Sequence, residues 1–260
     1  MGTNVVVDAA RQALGPVGVC LPVSFTASVV VNQQRDAVRR LEAAGYGAAW
    51  TNETVGGKDA LVQLALLLAA TDRMSFGTSI ANIWARAPQT AHGAAALLAQ
   101  AYPGRLVLGL GVGYPEQAAS VGRDFGRPLR TMRDYLEQMG APTQPPAPDA
   151  AYPRVVGANG PKMTALAAEL ADGAIPAMRP VEFTVQARQL LGPDKLLITG
   201  VRIFADDGRD PAVAAAADVR AHLAAGADHV LLLPPIGIDF ATCVDDLERL
   251  APELTAGTAR

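Results

Sequence analysis

Cysteine is nearly missing from this chain: Cys20 and Cys243 are the only two in 260 residues. So few, so far apart, build no disulfide framework and point to a reducing compartment. They lack metal-ligand spacing, and with only three histidines beside them no metal site is expected. A basic excess is also lacking, since 22 Lys and Arg stand against 25 Asp and Glu for a net charge of −3. Nothing there would neutralise a phosphate backbone, so no nucleic-acid partner is expected. Long apolar runs are absent as well. The stretch from Leu64 to Ala70 falls well short of the ~18 residues of a membrane span. The opening Met1-Gly-Thr-Asn-Val-Val-Val-Asp8 has no basic n-region, so no secretory signal is expected. These absences imply a cytoplasmic protein with no membrane partner.

What is present is a large apolar fraction. Half of the residues are hydrophobic and 18% are charged, enough to bury a sizeable core. Short β-like runs alternate with Ala-rich helical runs. The expected strands are Val17–Leu21, Ala48–Asn52, Met74–Ala81, Leu106–Gly111, Arg154–Ala158, Gly173–Ala177, Leu196–Phe204 and Asp228–Leu233. The expected helices are Asp36–Ala44, Ala60–Ala70, Pro88–Ala101, Pro128–Met139, Pro161–Ala171, Val181–Leu191, Pro211–Ala225 and Ala241–Leu250. Runs such as Leu106-Val-Leu-Gly-Leu110 are continuously apolar, as in parallel strands buried on both faces. Eight βα units in ~250 residues predict an α/β fold, a (β/α)8 barrel. Residues 1–260 are expected to form one domain.

Three helix-to-strand turns echo one another: Ala43-Ala-Gly-Tyr46, Leu170-Ala-Asp-Gly173 and Ala224-Ala-Gly-Ala227. Gly45, Gly226 and the Asp172-Gly173 pair are expected to supply left-handed cap residues on the amino-terminal face. The Pro-rich Ala141–Asp149 segment reads as an extended connector. It could divide two domains, but neither half alone has strands enough to close a barrel. Gly109-Leu-Gly-Val-Gly113 fails as a dinucleotide fingerprint. Tyr114 stands where the third glycine belongs, Pro115 follows, and the motif comes after the fourth strand.

Four motifs then come in order at barrel spacing: Leu41-Glu-Ala-Ala-Gly-Tyr-Gly-Ala-Ala-Trp50, Phe76-Gly-Thr-Ser-Ile-Ala-Asn82, Ala101-Tyr-Pro-Gly-Arg-Leu-Val-Leu-Gly-Leu-Gly-Val-Gly113 and Gly157-Ala-Asn-Gly-Pro-Lys-Met163. On these the chain resembles the luciferase-like monooxygenase superfamily, and within it the oxidoreductases that depend on the deazaflavin coenzyme F420. The resemblance runs from about Val17 to Leu233. Against that family, the loops after strands four and seven are short; Phe204 to Pro211 passes almost straight into a helix.

The resemblance implies a cofactor cradle of three loops. Ser79, Ile80, Ala81 and Asn82 end strand three, and a cis Ser79–Ile80 bond is implied there. Gly111, Val112, Gly113 and Tyr114 end strand four; some relatives carry a carboxylate where Tyr114 stands. Ala158, Asn159, Gly160, Pro161 and Lys162 open a helix whose free N–H groups would attract an anion. Each loop also admits a plain reading, as a strand end, a tight βα turn or a capped helix. For proton chemistry the candidates are Asn52 and Glu53, which close strand two. A carboxyl in a partly apolar mouth could act as acid or base, or Glu53 is simply a surface carboxylate. Trp84 could line the ring pocket, and Arg86 is read as structural. Pro176, Ala177 and Met178 are candidates for an apolar pocket wall.

Other chemistries lack their residues. His92 and His222 fall in helices, and His229 precedes the last strand on the stability face. Lys195 precedes strand seven, so no Schiff-base lysine stands at a strand's carboxyl end. No Gly-x-Ser-x-Gly elbow occurs. The resemblance therefore implies hydride transfer with F420 to a small organic molecule, in a homodimer. The alternatives are an FMN-dependent monooxygenase and a trimmed barrel that binds a flavin without turnover.

Overall fold

A computed structural model of the chain describes residues 3–24, 26–203, 208 and 210–255. Among these, the strands are β1 (Val17–Cys20), β2 (Ala48–Thr51), β3 (Ser75–Thr78), β4 (Ala81–Asn82), β5 (Leu106–Gly111), β6 (Arg154–Gly157), β7 (Gly173–Ile175), β8 (Leu196–Arg202) and β9 (His229–Leu233). Every pairing between them is parallel. The ring runs β1-β2-β3-β5-β6-β7-β8-β9 and closes where β9 pairs with β1, Val17 opposite Val230. The two-residue β4 continues the line of β3 and pairs with β5, Ala81 opposite Leu110. This is the predicted (β/α)8 barrel, with its third strand broken in two.

The helices are α1 (Thr3–Leu14), α2 (Val31–Ala43), α3 (Ala60–Leu68), α4 (Pro88–Ala101), α5 (Pro115–Ser120), α6 (Pro128–Met139), α7 (Pro161–Leu170), α8 (Val181–Leu191), α9 (Pro211–Ala224) and α10 (Phe240–Thr255). Pro starts α4, α5, α6, α7 and α9, where its fixed φ suits the first helical position and its missing N–H costs nothing. Two helices were not expected. The short α5 lies in the loop after β5. The other, α1, contains the β-branched run Val5-Val-Val7, which disfavours a helix locally. It forms because Val7, Ala10 and Leu14 share one face and pack into the barrel floor. Strand ends differ from expectation by one or two residues. Phe204 and its neighbours 205–207 and 209 lie outside the described residues, so the short loop expected there is only partly described.

Side chains alternate between two cores. Leu106, Leu108 and Leu110 of β5 face the helices, while Val107 faces the lumen with Val155, Ile175, Ile198 and Leu231. The lower lumen is filled by Trp50. A Cβ on Gly77 would lie 2.2 Å from its ring, so the glycine there is a packing requirement. Trp50 Nε1 donates to His229 Nε2 at 3.1 Å, and His229 Nδ1 lies 2.7 Å from the Gly15 carbonyl. With Nε2 accepting, Nδ1 must carry the proton and donate to Gly15, which joins the lumen to the end of α1. Arg11 adds bonds to Asp228 and to the Pro193 and Lys195 carbonyls. Helix α1 thus seals the amino-terminal face.

Gly45 and Gly226 have φ of +100° and +101°, as their cap role requires. Gly173 does not have a positive φ. It is glycine because a Cβ would sit 2.0 Å from the Leu196 carbonyl oxygen. The Asp172 carboxylate accepts from Arg154 N instead of capping a helix. The Pro-rich connector, with a cis Gln144–Pro145 bond, links α6 to β6, and β6 pairs directly with β5. It is a loop within the barrel.

Burial pulls the His229 imidazole down to about 4. Its folded value is below the unfolded one, so between about pH 6.5 and 4 the unfolded chain binds a proton that the folded chain refuses, and stability falls as pH falls. That loss is about 3 kcal/mol by the bottom of the window. A His229→Gln variant should show a shallower decline than the parent across that window in urea unfolding; parallel curves would contradict the assignment.

Candidate active site

The carboxyl ends of the strands form the mouth of the barrel, as the fold dictates. At its edge the chain leaves β3 and re-enters as β4 through Ser79 and Ile80, and the Ser79–Ile80 bond is cis, at the position the resemblance implies. Ser79 N donates to Thr51 O at 2.7 Å, and Glu53 N donates to Ile80 O at 3.0 Å. The bulge is therefore stitched to the end of β2 on both sides of Asn52. The Ile80 side chain lies across the lumen top. A Cβ on Gly111 would stand 2.5 Å from it and one on Gly157 3.2 Å. Glycines at those two positions are what leave room for it.

Glu53 is where structure and expectation part. It is 5% exposed and does not stand free in the mouth. Oε1 accepts from Ala60 N at 3.0 Å and from Arg86 at 2.5 Å; Oε2 accepts from Asn82 N at 2.9 Å and from Arg86 at 3.1 Å. A buried carboxylate needs such compensation, and a bidentate guanidinium with two amides supplies it. Arg86 also reaches Asp59 at 2.6 Å, whose carboxylate caps α3 through Val62 N. Salt-bridging Arg86 is thus structural, as expected, and Glu53 is the reason. Asn52, half-buried, has no side-chain hydrogen bond among the described residues.

The second loop is held by a residue the sequence reading did not single out, Gln117. Its Oε1 accepts from Asn82 Nδ2 and from Tyr114 N, both at 2.9 Å. Gly113 has φ of +58°, and a Cβ there would meet Gln117 Oε1 at 2.2 Å. Pro115 with Gln117 two residues on is a helix-start pattern that could have exposed this contact. Tyr114 itself is exposed at the rim. Trp84 is buried behind the loop. Its backbone N donates to Asn82 Oδ1 at 3.0 Å, and its Nε1 donates to Val112 O at 2.7 Å.

The third loop ends β6 and opens α7. Asn159 Oδ1 accepts from Ala177 N at 2.8 Å, tying the loop to β7. Gly160 is the N-cap residue and offers no side-chain cap. Its φ of −153° suits any residue, and nothing lies within 4 Å of the position of a Cβ. Glycine is an accepted N-cap residue, and here it leaves the head of the helix open. Lys162 is exposed and lines a groove with Arg133 and Glu169 between α6 and α7, away from the mouth. Pro176 is buried, Ala177 half-buried and Met178 exposed at φ of +55°.

The histidines stay out of the mouth: His92 bonds Tyr152 and His222 bonds Thr184. Lys195 donates to Ala171 O on the opposite face. No cluster of metal-ligating side chains occurs among the described residues, and no described helix is long and apolar enough to cross a membrane.

The sequence matches the luciferase-like monooxygenase family over residues 16–232. The chain belongs to that family. It is 31% identical over 173 residues to a Mycobacterium tuberculosis protein assigned to the coenzyme F420-dependent oxidoreductases, covering 54% of this chain and 50% of that one. It is 27% identical over 166 residues to the 5,10-methylenetetrahydromethanopterin reductase of Archaeoglobus fulgidus, covering 57% and 50%. The chain thus spans about half the length of these curated relatives. Among solved structures, an F420-dependent secondary alcohol dehydrogenase bound to an F420–acetone adduct superposes with a TM-score of 0.72 at 14% identity, over 92% of this chain and 99% of that one. That likeness is one of fold.

Arg86→Leu would strand the Glu53 charge. It should cost about 3–5 kcal/mol in denaturant unfolding, and adding Glu53→Gln should return part of the loss. Equal losses in the single and double variants would show that the pair is not coupled.

Proposed function

We propose that this luciferase-like barrel is a coenzyme F420-dependent oxidoreductase acting on a small organic substrate. The observation that carries the reading is the open head of α7, where the N-cap Gly160 carries no side chain and leaves room for a ligand to approach, in a family with a relative named as a coenzyme F420-dependent oxidoreductase. F420, when bound, supplies hydride transfer at a carbon of its deazaflavin ring. The residues present fit that group. Ser79, Ile80, Ala81 and Asn82 would back the ring on a partly apolar platform. Gly111, Val112, Gly113 and Tyr114 would flank it. Ala158, Asn159, Gly160 and Pro161 would present the head of α7 to the cofactor's anionic side chain, whereas Lys162, in the groove with Arg133 and Glu169, is not part of that cradle.

The protein's own part is to bind, orient and exclude water. Glu53 acts as a positioning residue, because all its described bonds hold the bulge, α3 and Arg86 in place. Asn52 is the group at the end of β2 left free to meet a reacting molecule. We also propose a homodimer packed through the helices of the second and third units, where Val62 of α3 and Leu97 of α4 are 60% and 57% exposed. Sedimentation should give twice the monomer mass, and Val62→Glu with Leu97→Glu should shift it to monomer; an unshifted dimer would place the interface elsewhere.

The cofactor is tested by fluorescence titration with F420 and, separately, FMN. F420 should bind at micromolar concentration or tighter and FMN should not. Gly160→Val, compatible with the local backbone, should leave the unfolding midpoint in place and weaken F420 about tenfold, ~1.4 kcal/mol. Binding of FMN alone would convert the reading to a flavin monooxygenase. Binding of neither would leave a barrel without turnover.

A further inference from the structure

A cleft of about 510 Å³ opens beside the bulge, between the loop after β1, the loop after β2 and the start of α10. Its wall is polar in an uneven way. Gln34 and Gln63 are consumed by each other, with Gln63 Nε2 donating to Gln34 Oε1 at 2.5 Å and Thr51 Oγ1 donating to Gln63 Oε1 at 2.5 Å. Four other lining groups make no side-chain hydrogen bond or ion pair among the described residues: Ser28, Asn52, Thr54 and Lys58. Among the described residues, Lys58 is the only charged one lining the cleft, and no carboxylate lines it. The three acids adjacent in sequence to lining residues are turned to other work: Glu53 is held by Arg86, Ala60 N and Asn82 N. Asp59 is bonded to Val62 N and paired with Arg86, and Asp239 accepts from Thr242 N and Oγ1 at the head of α10.

A lone cation with three unpaired hydroxyl or amide groups, facing no carboxylate, is complementary to an anion. Asn52 belongs both to this cleft and to the strand end stitched to the bulge, so the cleft adjoins that strand end. We propose that the cleft holds the substrate, and that Lys58 selects substrates bearing a carboxylate or a phosphate. The proposal rests on the oxidoreductase reading for what happens to that substrate, but not for where it binds. Lys58 is then a specificity-determining residue of this chain, and Ser28 and Thr54 donate to the same anionic group.

The test uses matched pairs that differ in charge, titrated calorimetrically into the full chain with and without F420: 4-oxopentanoate against its methyl ester, and dihydroxyacetone phosphate against dihydroxyacetone. The charged member of at least one pair should bind about tenfold more tightly, and the pair that shows it separates carboxylate from phosphate. The preference should weaken in added salt. Lys58→Gln should abolish it, Lys58→Arg should restore it, and neither should change F420 affinity. Equal binding within both pairs, no binding, or a preference that survives Lys58→Gln would overturn the proposal. So would an F420 affinity that drops tenfold in Lys58→Gln, because the cleft would then belong to the cofactor's own anionic tail. Should F420 not bind at all, the cofactor reading fails while the charge preference of the unloaded protein still decides this one.

Discussion

A carboxylate buried in the wall of a barrel is tolerable only if every acceptor position is answered, and Glu53 organises the mouth through that demand. It draws Arg86 inward, fixes the first amide of α3 and grips Asn82 N just past the bulge. From Asn82 the same order passes through Gln117 to Tyr114 N and so to the second loop. Three segments distant in sequence are thus set by one charge. The energy of such a pair contributes little net stability in general. Its effect is geometric, since an alternative loop arrangement would leave an ion unpaired in the interior.

The lumen is graded to match. At the amino end it is solid, with Trp50, His229 and the apolar face of α1. Toward the mouth the inward positions of β5 and β6 fall to Gly109, Gly111 and Gly157, and Ile80 alone crosses the space. Stability is concentrated on one face and room is left on the other. A barrel filled to the top would be more stable and would have no place for a ligand.

The barrel was legible because the strands carry short, mostly apolar runs and the helices begin at a proline or end at a small-residue turn. Helices α4, α6 and α8 fall on their expected residues for that reason. What was not legible depended on contacts remote in sequence. Nothing in Val5-Val-Val7 announces a helix, because its stability comes from the lumen it plugs. Asp172-Gly173 looks like a cap, yet Gly173 answers to the Leu196 carbonyl across the sheet. Glu53 has the position of a catalytic acid in the one-dimensional pattern. Its engagement by Arg86, thirty-three residues on, is visible only once β2 and the bulge lie side by side.

The same juxtaposition separates two kinds of polar residue at the mouth. Glu53, Gln117, Asn82 and Asn159 are spent on loop geometry, each with its acceptors or donors matched by protein atoms. Among the described residues, the side chains of Asn52, Ser28, Thr54 and Lys58 have no such match. Polar groups that a fold leaves unmatched beside a buried platform face solvent or a ligand, and here they gather on the β1 and β2 side, whereas the uncrowded glycine stands on the β6 side at the head of α7. A ring bedded on Ile80 would lie between them. Two ligands can then approach from opposite sides of one platform, which is the arrangement a transfer between cofactor and substrate needs. A barrel that only stored a flavin would need the β6 side and would have no use for an unpaired cation on the other.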